Sequence, residues 1–182
     1  MKKNHQTYPI KAIIGLGNPG PQYYYQRHNI GFRILDTLAT RYKAPWQDKS
    51  IMQITTISIN NTPIILIKPQ TFMNKSGSVI PFLSKKGIKA EHILVAHDEL
   101  EKPFGSLGIK SGGSARGHNG LRSIINECGK DFVRLRFGIS RPDQREMVPS
   151  YVLSRFDQNE DAIMTLIEKA ADMIEQCVAS DT

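Results

Sequence analysis

Apolar positions recur along this chain in two rhythms. Residues 11–16 form a short apolar run that ends in glycines, the pattern of a buried strand. From residue 30 to 42 the spacing becomes helical, with Ile30, Ile34, Leu35 and Leu38 on one face. Residues 51–59 and 64–67 are β-branched runs separated by Asn60-Asn61-Thr62-Pro63, which predicts a hairpin. Residues 74–86 predict a helix in which Pro81 must stand near the start or cause a kink. A strand over 92–96 then delivers His97 and Asp98 at its C-terminal end, and 107–110 predicts another short strand. A glycine-rich stretch from Gly112 to Gly120 leads into a helix over 121–128 that Gly129 stops. Residues 131–139 read as a strand. The last helix, 161–177, buries Ile163, Leu166, Ile167, Ala170 and Ile174.

Strands alternate with helices around one inserted hairpin. That order predicts an α/β sandwich: a twisted mixed β-sheet flanked by helices on both faces. No repeat, low-complexity tract or linker interrupts it, so residues 1–182 read as a single domain, with residues 1–9 a candidate disordered segment.

Composition narrows the class. Hydrophobic residues make up 40% and charged residues 23%, which suits a folded globular chain. No apolar run approaches the roughly 20 residues that span a bilayer, and the first residues lack a signal-peptide pattern. Cys128 and Cys177 are too few for a disulfide framework or a zinc site, so the cytoplasm is the expected compartment. Twenty-four Lys and Arg against seventeen Asp and Glu give a net charge of +7. That excess favours polyanionic partners without specifying one.

Candidate chemistry is scattered. Gly15-Leu16-Gly17-Asn18-Pro19-Gly20 fits a dinucleotide-binding G-x-G-x-x-G, but Pro19 removes a backbone donor and the acidic residue downstream, Asp36, falls inside a helical pattern. A tight turn exposing the Asn18 amide is the simpler reading. His28 precedes the first helix and is suited to proton transfer near neutral pH, provided a carboxylate orients it. Asp98 is the best-placed carboxylate, at the crevice end of an inner strand, and could equally be a cap; spacing does not exclude Glu99 and Glu101. His97 points the other way from Asp98 and reads as structural. Asn74 and Asn119 could cap helices or offer a donor and an acceptor to a substrate. Downstream, Lys110, Arg116, Arg122, Arg134, Arg136 and Arg141 form a basic half, and alternation puts Arg134 and Arg136 on one face, exposed and able to grip a phosphate.

The order of the motifs is more specific than any one of them. Gly15–Gly20 is followed by Tyr23 with Arg27-His28-Asn29-Ile30-Gly31, and then by Lys68-Pro69-Gln70-Thr71-Phe72-Met73-Asn74-Lys75-Ser76-Gly77. After these come His97-Asp98-Glu99-Leu100, Gly117-His118-Asn119-Gly120-Leu121, Arg134-Leu135-Arg136-Phe137-Gly138-Ile139 and Tyr151-Val152-Leu153. Over residues 13–156 the chain resembles the bacterial-type peptidyl-tRNA hydrolases. The resemblance implies an enzyme that cleaves the ester between peptide and tRNA, acting on peptidyl-tRNA with no metal or organic cofactor. The lack of an apolar span argues against a membrane partner, and a monomer is expected because nothing in the sequence indicates a large interface. The resemblance also implies that His28 is the catalytic base and Asp98 its partner. It gives Asn18 and Asn119 roles in holding water or oxyanion, without dividing the work between them, and Tyr23, Phe72, Met73 and Asn74 roles in binding substrate. Lys110 and Arg136 would hold a tRNA phosphate.

Two positions depart from the family pattern: Gln26 replaces a threonine, and Arg116 stands in a stretch otherwise made of small residues. Three other readings remain beside this one. A covalent mechanism lacks a G-x-S-x-G elbow, although Ser111, Ser114 and Ser123 are formal nucleophiles. A non-catalytic RNA-binding relative would share the fold. The nucleotide-dependent enzyme rests on the glycine motif alone.

Overall fold

The computed structural model describes residues 5–180, and its core is a seven-stranded mixed sheet. In chain order the elements are β1 (Ala12–Gly15), α1 (Ile30–Arg41), β2 (Gln47–Lys49), β3 (Met52–Ile59), β4 (Thr62–Pro69), α2 (Ile80–Ser84) and β5 (Ile93–Glu99). They continue through β6 (Leu107–Ser111), α3 (Asn119–Cys128), β7 (Val133–Gly138), α4 (Val148–Val152) and α5 (Glu160–Cys177). The strand order is β2-β3-β4-β1-β5-β7-β6. β4, β1, β5 and β7 run parallel, while β2, β3 and β6 attach antiparallel at the two edges.

Strand alternation divides the core in two. Ile13, Leu66, Leu94, Ala96 and Leu135 face α1 and α5, whereas Ala12, Ile14, Ile67, Ile93 and Val95 face α2, α3 and the 3-10 segment Met73–Val79. Helices therefore cover both faces, as the periodicity predicts. Local signals account for several boundaries. Asn60 and Asn61, at φ 50° and 62°, make the two-residue turn between β3 and β4. Pro81 is the second residue of α2, where its missing N–H costs nothing. α5 begins where the Asn159 side chain accepts from Ala162 N–H, with Glu160 and Asp161 in the first turn favouring the positive end of the helix dipole.

The N-terminal segment differs from expectation. Tyr8 N–H donates to the Cys177 carbonyl and Ala179 N–H donates to the Tyr8 carbonyl, so the chain is tied to the end of α5 from Tyr8 onward. Residues 1–4 lie outside the described residues. Among those described, no helix is long and apolar enough to cross a membrane.

At its centre the sheet meets α1 very closely. A Cβ on Gly31 would collide with the Ala96 carbonyl and the Leu16 backbone, and one on Gly15 with the Gly31 carbonyl. These two glycines bring the start of α1 down onto the C-terminal ends of β1 and β5. Here they serve backbone packing, which gives Gly15, the first glycine of the motif, a structural role without a dinucleotide.

Candidate active site

Asp98 lies within β5, paired through to Glu99, rather than just past its end. Its side chain is 2% exposed and lies between two imidazoles. Nδ1–H of His28, delivered by the short 3-10 turn Arg27–Asn29 ahead of α1, donates to Oδ2 at 2.9 Å. Nε2–H of His118, at the start of α3, donates to Oδ1 at 2.8 Å. The His118 tautomer follows from its other nitrogen, which accepts from Gly120 N–H and Leu121 N–H at 3.1 and 3.3 Å. Nδ1 must therefore be the acceptor, and the proton sits on Nε2.

These contacts set the charges. Burial works against the Asp98 carboxylate, yet His28 and His118 outweigh it and hold its pKa well below the ordinary value. Burial also works against the His28 imidazolium, and there Asp98 wins through charge and hydrogen bond, raising the pKa above the ordinary 6.5. With Nδ1 engaged, His28 keeps Nε2 for the cleft. His97 lies on the opposite face of β5. Complete burial, aided by the nearby His118 and opposed by its bond to the Asp98 carbonyl, lowers its pKa to about 3. Its Nδ1–H donates to that carbonyl at 2.8 Å.

A second set of groups meets the first from the β1 side. Asn29 Oδ1 accepts from Asn18 N–H at 3.0 Å, and Asn29 Nδ2 donates to the Asn18 carbonyl at 2.8 Å. The Asn18 side chain accepts from Met73 N–H at 2.8 Å through Oδ1, which leaves its Nδ2 without an acceptor among the described residues. Tyr23 and Phe72 pack edge to face at 6.3 Å, and Phe72 is 59% exposed. The two sets converge on Gly120, where a Cβ would meet Met73 Sδ, a Leu16 methyl and the His118 ring.

Comparison with known proteins identifies the family. The family model described as peptidyl-tRNA hydrolase matches residues 12–182. The peptidyl-tRNA hydrolase of Rubrobacter xylanophilus is 42% identical over 162 residues, covering 89% of this chain and 90% of that protein. That of Listeria welshimeri is 41% identical over 170 residues, covering 91% and 92%. A crystal structure of a point mutant of the Acinetobacter baumannii peptidyl-tRNA hydrolase superposes with a TM-score of 0.90 at 36% identity, covering 96% of this chain and 91% of that one. The chain belongs to the peptidyl-tRNA hydrolase family.

Within this family member, a cleft of about 450 Å³ opens beside the paired imidazoles. His28, Asp98, His118 and Asn119 line one end, Arg116, Arg141 and Arg145 the rim, and Val148, Pro149 and Val152 the α4 wall. Asn18, Tyr23, Phe72, Met73 and Asn74 lie outside that cleft, on the β1 side. Asn119 is exposed and is the first residue of α3, while His118 supplies the cap that Asn119 could have provided. Asn74 is exposed on the 3-10 segment, which is flanked by Phe72 rather than capped by an asparagine.

The basic face needs a correction. Register places Lys110 opposite Arg134 and Gly108 opposite Arg136, so all three cationic chains share one face of the β6–β7 ribbon. Lys110 is exposed and Arg136 half-buried, 3.8 Å from a Glu99 oxygen. Arg134, expected to be exposed, is 3% exposed and donates to the Gly113 and Ser114 carbonyls. Alternation gave its face correctly, but the glycine-rich loop folds over it.

His118 and Asn29 are the groups that spacing did not single out, and Arg134 was singled out for a phosphate rather than for the loop it holds. One signal existed for His118: a polar residue directly before an apolar helical run, where an N-cap belongs. The sequence also gave no sign of a metal-ligand cluster, whereas His28, Asp98 and His118 bring donor atoms within 4.8 Å of one another. The fit to a cation is poor. His118 could ligate through Nε2 only by losing that proton, and its Nδ1 lone pair is already committed to two backbone donors.

The covalent alternatives find no support in the geometry. Burial pushes the thiols of Cys128 and Cys177 up to about 11 and about 12, so neither is a thiolate at neutral pH. Ser123 Oγ accepts from Gly77 N–H in the packing of α3.

Proposed function

We propose that this protein hydrolyses the ester joining a peptide to the 3′ end of tRNA, with water as the nucleophile. His28 Nε2 takes a proton from that water, whose oxygen attacks the ester carbonyl carbon. Asp98 stabilises the imidazolium that results. Asn18 Nδ2 donates to the carbonyl oxygen as it becomes an oxyanion, and Asn119 orients the water from the opposite wall. Collapse of the intermediate breaks the acyl–oxygen bond, and the ribose hydroxyl leaves with the proton that His28 returns. The peptide lies towards Met73, Asn74, Phe72 and Tyr23. The tRNA lies towards the basic rim, with a phosphate held by Lys110 and Arg136.

The observation that supports this reading is the His28–Asp98 hydrogen bond at 2.9 Å, which commits Nδ1 and leaves Nε2 available to act as a base. No step requires a metal or an organic cofactor. The working unit is a monomer of one domain acting in the cytoplasm, where peptidyl-tRNA is found.

Release of labelled peptide from purified peptidyl-tRNA tests the reading. Multiple-turnover release is expected. Tight tRNA binding with no release at any enzyme concentration would instead indicate the non-catalytic RNA-binding reading.

A further inference from the structure

Arg134 is a buried cation beside the exposed Lys110 and the half-buried Arg136. Its guanidinium donates through Nη1 to the Ser114 carbonyl at 2.8 Å and through Nη2 to the Gly113 carbonyl, and it lies 4.5 Å from the centroid of the Phe132 ring. Burial lowers its pKa from the ordinary arginine value, although the cation persists at any physiological pH. With both terminal nitrogens committed to backbone carbonyls, it has no planar fork left to offer a phosphate.

The loop it holds is the one that completes the catalytic centre. Gly112, Gly113, Arg116 and Gly117 all have positive φ, and the segment has no regular secondary structure of its own beyond a turn at Arg116 and Gly117. Its far end is fixed where His118 N–H donates to the Ala115 carbonyl and the His118 ring meets Asp98. Its near end is fixed by Arg134 alone among side-chain donors of the described residues. Lys110 Nζ lies beside the same end, 3.4 Å from where a Gly113 Cβ would be. The loop is thus strapped at one end to the basic ribbon and at the other to the catalytic carboxylate.

We propose that Arg134 is a positioning residue for the hydrolytic step: by holding the Gly113 and Ser114 carbonyls it sets the loop that presents His118 to Asp98 and Asn119 to the cleft. This role rests on the proposed hydrolytic function. It assigns Arg134 to the chemical step and leaves substrate capture to its neighbours Lys110 and Arg136. A side chain displaced by about 1 Å can cost about 10²-fold in rate, so loosening this strap should act on kcat.

Arg134→Lys keeps the charge but cannot reach two carbonyls in a fixed plane. It is compared with wild type in kcat, in KM as a function of salt, in deuterium uptake of amides 114–119, and in the 15N spectrum of the His118 ring. The expected result is a kcat reduced about 10- to 100-fold, a salt slope of log KM equal to wild type, faster amide exchange across 114–119 and shifted His118 signals. Exchange and spectrum are read without substrate, so they test the strap even if the protein proves not to cleave peptidyl-tRNA. Arg134→Gln, which can still donate to one carbonyl, provides the same readouts if the lysine variant does not fold. A salt slope smaller by about one with kcat unchanged would make Arg134 a phosphate ligand and overturn the proposal. Unchanged loop exchange and unchanged His118 signals would overturn it as well.

Discussion

The Nε2–H of His118 meets Asp98 Oδ1 at 2.8 Å, on the carboxylate oxygen that His28 leaves free. One buried carboxylate therefore organises two imidazoles, and only one of them has a nitrogen left for chemistry. His118 has two separable jobs, capping α3 and steadying Asp98. His118→Ala removes both and should lower stability by about 1 kcal/mol as well as slow hydrolysis. His118→Asn restores a good cap but cannot reach Asp98, so melting temperature should recover while kcat stays low. Recovery of kcat along with stability in the asparagine variant would reduce His118 to a cap.

The raised His28 pKa has a definite kinetic sign. As the proposed base, His28 must be unprotonated, so kcat/KM should rise with pH through an inflection above 6.5, the ordinary histidine value. Asp98→Asn removes the charge that raises it. The inflection should then move to lower pH while the plateau falls by about 10²–10⁴-fold. An unmoved inflection would mean that the limb reports another group.

Asn18 presents its amide with the ends assigned, Oδ1 taken by Met73 N–H and Nδ2 without an acceptor among the described residues. Asn18→Asp keeps the acceptor and loses the donor, so the fold should survive while kcat falls about 10²–10³-fold, the usual cost of one oxyanion donor. A fall in kcat much smaller than this, with KM raised, would place Asn18 in ground-state peptide binding instead.

Lys110→Ala and Arg136→Ala should each raise KM and flatten its dependence on salt by about one counterion. Measuring KM between low and moderate salt checks this, and a wild-type slope in either variant removes that residue from the phosphate contact.

Gly31→Ala would drive a methyl into the Ala96 carbonyl and the Leu16 backbone. The chain has little room to yield where α1 crosses β1 and β5, so stability should fall by about 3 kcal/mol. Chemical denaturation reads this directly, and a loss below about 0.5 kcal/mol would show that the contact relaxes freely.

The long elements were legible because their apolar stripes are unambiguous. α1 and α5 lie within one residue of the spans read from spacing at each end. β2 and α4 were not. β2 is three exposed residues at a sheet edge with no burial pattern to read, and α4 is five residues containing Pro149. His28 and Asp98 were each ambiguous locally, and the order of the motifs singled them out. Seventy residues separate the two, so their hydrogen bond needed the sheet to bring α1 and β5 together. Arg134 shows the limit of alternation. Period two reports which face a residue takes, but whether that face meets solvent depends on a loop twenty residues away in sequence.

The most direct test of the account is single-turnover cleavage of labelled peptidyl-tRNA by His28→Ala, beside wild type, with tRNA affinity measured on the same preparations. The predicted result is affinity within about twofold of wild type and a cleavage rate lower by about 10²–10⁴-fold, the contribution of a general base. Cleavage at near wild-type rate by the folded variant would contradict the central claim, because the ester would then be hydrolysed without the nitrogen that Asp98 holds in place.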